Sequence, residues 1–78
     1  MVYCKFIEGN DKYVRYAYGG IVSDITGEIM FNFRDDVIEI LHTPKKVDAP
    51  TRHIKRLYGA QRDNFRNGVF KEKISYES

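Results

Sequence analysis

A chain of 78 residues, 42% hydrophobic and 31% charged, has material for one core only, because at this length folding buries about 60% of the surface the unfolded chain exposes. One cysteine and two histidines exclude a disulfide framework and a structural zinc module, and thirteen basic against eleven acidic residues, a net charge of +2, announce neither nucleic acid nor a membrane surface. No apolar run approaches the ~18 residues of a spanning helix, and Lys5, Glu8, Asp11 and Lys12 interrupt the N-terminal stretch before a signal-peptide core can form. A single globular domain over residues 1–78, located in the cytoplasm and away from membranes, is expected.

The segment Val2 to Glu8 is rich in β-branched and aromatic residues and ends at the turn formers Gly9-Asn10-Asp11, which predicts a strand and a hairpin turn. From Tyr13 to Tyr18 the chain alternates between Val14, Tyr16, Tyr18 and Tyr13, Arg15, Ala17, the period of a second strand. At least one of these two faces is expected to show tyrosine to solvent, and an exposed Tyr and Arg surface is the composition of a protein interface. The pair Gly19-Gly20 marks a bulge, a bend or a close backbone approach. In Ser23 to Gly27, Asp24 is read as bonding the backbone ahead of it and Gly27 as taking positive φ.

Ile29, Phe31 and Phe33 then share one face of a half-buried strand, Arg34-Asp35-Asp36 make a polar turn, and Val37 to Leu41 form a short apolar strand suited to the centre of a sheet. Two prolines keep residues 42–50 a loop. Asp48 or Thr51 is the expected helix cap, and Asn67-Gly68 the stop of a helix running from about 51 to 67. Phe70, Ile74 and Tyr76 mark a final strand. The fold class is α+β: a mostly antiparallel sheet of four to five short strands, one amphipathic helix on one face, and a strand after the helix. A small barrel with a decorating helix is the second choice.

At 100° per residue, Ile54, Leu57, Tyr58, Gln61 and Phe65 form the core stripe of the helix. Opposite them lie Arg52, Lys55, Arg56, Arg62 and Arg66, with Gly59 among them and Asp63 the single acid. Residues 41–78 hold nine basic and four acidic side chains, and residues 1–40 four and seven. A charged helix face is ordinarily solvated surface. Here it is nearly all one sign and rich in arginine, whose planar fork suits phosphate or carboxylate. As exposed charges these arginines are expected to add little to folding. Gly59 removes bulk at the centre of the band, at a cost of about 1 kcal/mol relative to alanine.

Catalytic candidates are sparse. Cys4 alternates with Val2 and Phe6 as a small core residue, His53 falls between the helix faces as a surface residue, and Asp35-Asp36 read as solvated turn acids. Gly19-Gly20 lacks the Lys and Ser/Thr of a phosphate loop, and neither an RNA-binding aromatic signature nor a helix-turn-helix pair is present. The expectation is a non-enzymatic binding module, without cofactor or metal, that meets a protein partner through a sheet edge or through the basic helix face. The alternative is a nucleic-acid accessory protein setting Arg52, Lys55, Arg56, Arg62 and Arg66 on phosphates. A homodimer is a further expected way of hiding an exposed sheet edge.

Overall fold

The computed structural model describes residues 1–77. Strands β1 (Val2–Gly9), β2 (Tyr13–Gly19), β3 (Gly27–Asn32) and β4 (Val37–His42) follow one another, helix α1 (Thr51–Arg66) comes next, and β5 (Lys73–Tyr76) closes the chain. The first four strands form an antiparallel meander, and β5 returns to pair antiparallel with β1, giving the order β4-β3-β2-β1-β5. The α+β architecture with one helix and a strand after it is therefore present, with five strands. Strands separated by turns of a few residues can only pair antiparallel, whereas β5 finds β1 because the connector after β4 brings the chain back to the β1 side before the helix begins. The connector 43–50 can reach at most about 27 Å, enough to cross a sheet whose four spacings total about 19 Å.

Alternation places Val2 and Cys4, then Val14, Tyr16 and Tyr18, then Ile29, Phe31 and Phe33 beneath the helix, where Ile54, Leu57, Tyr58 and Phe65 meet them. The two deepest tyrosines satisfy their hydroxyls: Tyr16 donates to the carbonyl of Lys71 at 2.8 Å and Tyr18 to Asp48 at 3.0 Å. Buried hydroxyls without such acceptors would oppose folding. The tyrosine and arginine of β2 that reach solvent are confined to the face away from the helix, where both are partly exposed. Tyr16 and Tyr18 are core, Tyr13 is half-buried, and Arg15 is held between Glu8 and Glu28.

Several local expectations are revised. Strand β4 lies at the outer edge of the sheet and not at its centre, because the apolar run Val37 to Leu41 has only β3 to pair with. Asp48 and Thr51 do not cap the helix. Pro50 is the N-cap, without a side-chain hydrogen bond, while the Asp48 carboxylate accepts from the Ala49 amide and from Tyr18. The helix stop is as expected, with Gly68 at φ 75°, a left-handed conformation that glycine adopts without Cβ strain. Gly27 is not at positive φ; a Cβ there would lie 2.8 Å from Pro44 and from the Tyr18 ring, so space and not backbone conformation selects it. Phe70 precedes β5 and sits in the loop, yet its ring stacks on Phe6 at 6.0 Å.

Asp24 also works differently from a local turn residue. It is buried, and its carboxylate accepts from Thr26 Oγ1 at 2.8 Å and from the amides of Lys46 and Val47 at 2.7 and 2.8 Å. The Gly20 amide adds a bond to the Val47 carbonyl at 2.8 Å. Residues 20–26 and the connector are thereby fastened together, closing one end of the core.

Candidate functional site

The helix crosses the sheet from the β1/β5 side, where the His53 ring lies 5.3 Å from that of Tyr76, to the β3–β4 turn, where Arg66 Nε donates to the Phe33 carbonyl at 3.1 Å. Its five basic side chains are all exposed, but they divide into two groups. At the C-terminal end Asp36 reaches up from the turn: Arg66 approaches both its oxygens at 3.1 Å, Arg62 Nε lies 3.6 Å away, and the Tyr58 hydroxyl donates to it at 2.7 Å. Asp36 holds φ at 57°, a left-handed conformation that Asp tolerates better than most residues. The hydrogen bond from Tyr58, with smaller help from Arg62 and Arg66, keeps its carboxyl below the usual carboxylate range against the opposing effect of burial. Burial, together with the same contact, pushes the Tyr58 hydroxyl up to about 12.

The band is thus not of one sign in space, because an acid remote in sequence neutralises one end of it. Asp36 was legible only as a turn residue. At the other end Arg52 and Lys55 have no ion pair among the described residues, and Arg56 makes a single long contact of 3.4 Å to the Tyr76 hydroxyl. A Cβ at Gly59 would meet nothing within 4 Å, so the centre of the face is open.

The division predicts unequal effects. Arg66→Ala removes a contact from one guanidinium nitrogen to both Asp36 oxygens and a bond to a backbone carbonyl and is expected to lower stability by about 1 kcal/mol, whereas Arg52→Ala and Lys55→Ala stay within about 0.5 kcal/mol. Urea denaturation of the three variants measures this. Equal effects at all three positions would contradict the division.

His53 is buried and not a surface residue. Its Nδ1 lies 2.6 Å from the Met1 nitrogen, and burial, reinforced by neighbouring positive charge, pulls its pKa below the ordinary value. Asp24 is likewise held low, chiefly by the Val47 amide. Each of these groups binds a proton more weakly when folded than when unfolded. Stability is therefore complete above the ordinary value of each group and falls as the pH drops through it. Two acid-side losses are expected, one starting near the ordinary histidine value of about 6.5 and one near that of aspartate at about 3.9. Asp36, also held low, shares the lower step with Asp24, so urea midpoints measured against pH should show the upper step flattened in His53→Gln and the lower one reduced in Asp24→Asn and in Asp36→Asn.

Cys4 is buried, and burial pushes its thiol up to about 12, the reverse of what a nucleophilic thiolate requires. Among the described residues no three His, Cys, Asp or Glu side chains are grouped to hold a metal ion, and no helix is long and apolar enough to cross a membrane.

The second surface of interest is the sheet edge. Strand β4 is hydrogen-bonded on one side only, and Val37, Ile40 and Leu41 are exposed at 50%, 41% and 42%. Glu39 is the one charged residue along its six positions. The opposite edge, β5, is four residues long and carries Lys73, the short, charged form by which edges are ordinarily kept from pairing. Comparisons with protein-family models, with curated proteins and with solved structures give no match for this chain.

Proposed function

We propose that this protein is a non-catalytic binding module that takes up an extended segment of a protein partner at β4. The observation that carries the reading is the asymmetry of the two edges: β5 is short and charged, while β4 offers a six-residue edge with its outward backbone groups unpaired, beside exposed Val37, Ile40 and Leu41. Strand addition supplies affinity through main-chain hydrogen bonds and specificity through alternate side chains. A second copy of the chain is the simplest such partner, since two antiparallel β4 strands about a two-fold axis satisfy each other.

Lysine in place of Val37 and Leu41 gives the strand the guard it lacks at exposed positions where folding is little affected. Sedimentation equilibrium of the wild type is expected to show species above 9.2 kDa or, where the partner is foreign, selection from a random peptide library is expected to yield extended ligands. Val37→Lys/Leu41→Lys should lose either. Wild type that stays monomeric and yields no peptide sensitive to the double substitution would sink the reading.

Contact of the basic face with nucleic acid is the second reading, favoured by the uncompensated Arg52 and Lys55 and the open space at Gly59. With Arg62 and Arg66 drawn to Asp36, three cations remain, too few for a steep salt dependence. Titration of fluorescent single- and double-stranded oligonucleotides at two salt concentrations tests it; no binding at low salt removes it.

A further inference from the structure

The face of the sheet away from the helix carries a like-charge pair that nothing else in the fold accounts for. Lys5 on β1 stands directly opposite Lys73 on β5, an arrangement that opposes strand pairing. Neither lysine has an ion pair among the described residues. Of the acids on this face, Glu8 and Glu28 both bind Arg15 and Glu39 stands on β4 at the far edge of the sheet, while Asp24 in the adjoining loop is saturated by Thr26, Lys46 and Val47.

The two lysines border a groove of about 250 Å³ between β1, β5 and the loop 20–26, lined by Tyr3, Lys5, Val22, Ile25, Lys73 and Ser75. Its outer wall is set in place before any ligand arrives, because Asp24 and the Gly20 amide fasten the loop that bears Val22 and Ile25 to residues 46 and 47. Val22 is 67% exposed beside this groove, an apolar side chain left in water on a rigid support.

We propose that this groove is a binding site for a small amphipathic carboxylate, its apolar body between Tyr3, Val22 and Ile25 and its carboxylate between the ammonium groups of Lys5 and Lys73. Charge complementarity selects an anion, because two adjacent ammoniums without a counter-charge gain most from a single shared carboxylate. The volume, slightly below the ~300 Å³ at which drug-sized sites begin, selects a small molecule. The site lies at the β1/β5 side of the sheet, remote from β4, so it stands or falls separately from the strand-addition reading.

Sodium octanoate is the probe, followed by amide chemical shifts of the ¹⁵N-labelled protein. Saturable shifts at Tyr3, Lys5, Val22, Ile25 and Lys73 are expected at ~1 mM, with octan-1-ol, which lacks the charge, and acetate, which lacks the apolar body, each about tenfold weaker. Lys5→Gln/Lys73→Gln should erase the preference for octanoate over octanol, and Val22→Glu, at an exposed position, should abolish octanoate binding by placing an acid beside the lysines. Lys73→Glu should raise the melting temperature while losing octanoate, which separates a ligand role from a structural one. Shifts that fail to saturate by ~10 mM, equal binding of octanol and octanoate, or octanoate binding unchanged in Val22→Glu would each overturn the proposal.

Discussion

Phe65→Ala is expected to unfold the domain, or to lower its stability by about 3 to 5 kcal/mol. The residue is 1% exposed in the last turn of the helix, at the centre of an aromatic cluster. Its ring lies 6.0 Å from Tyr16, 5.8 Å from Phe31, 6.0 Å from Phe33 and from Phe70, and 6.4 Å from Tyr58. Aromatic packing of this kind adds to simple area burial. Removing the ring leaves a cavity walled by other rings, which cannot close on it without leaving their own contacts. A domain of this size has few kcal/mol in reserve, so far-ultraviolet dichroism against temperature should find Phe65→Ala largely unfolded where the wild type is folded. A Phe65→Leu variant, which keeps most of the volume, should remain folded. If Phe65→Ala melts within a few degrees of the wild type, the helix does not anchor through this residue.

Gly19→Ala is expected to have an effect of similar size by the opposite mechanism. A Cβ at Gly19 would stand 1.8 Å from the Asp24 carbonyl oxygen, and that neighbour is backbone held by a turn bond from the Asp24 amide to Ile21 at 3.1 Å and by the buried Asp24 carboxylate. Flexible cores accommodate an added methyl for about 1 to 3 kcal/mol. Here the obstacle is main chain, so about 3 kcal/mol or more is expected, as a fall in urea midpoint with the slope unchanged. Gly59→Ala serves as the control. With nothing within 4 Å of its Cβ it should be stabilising, by up to about 1 kcal/mol, because alanine is the better helix former. Gly19→Ala as stable as the wild type would mean that loop 20–26 does not lie against β2 as described.

The gain at Gly59 bears on function too. A Cβ at Gly59 would project into open space on the basic face, and the variant therefore belongs in both the stability and the binding series.

Strand positions, the helix from Thr51 and its end before Gly68 were legible in the sequence because each rests on local chemistry. Alternation put Ile29, Phe31 and Phe33 on one side, the 3.6-residue period put Leu57 and Phe65 together, and prolines at 44 and 50 kept the connector out of helix and ladder. What the residues could not disclose was which elements become neighbours. The apolar run Val37 to Leu41 reads alike at the centre or the edge of a sheet, and only the pairing of β5 with β1 leaves β4 outermost. The helical period alone puts the five cations on the outer face, yet their division into neutralised and free groups depends on Asp36, 26 to 30 residues away in sequence and brought to Arg62 and Arg66 by packing. Lys5 and Lys73 carry no shared signal along the chain, and they become a charged pair beside a groove only through the β1–β5 register. Periodicity and turn chemistry act over a few residues and so can be read directly. Edges, charge pairs between elements and the wall of a groove arise from contacts between distant segments, which the tertiary structure alone decides.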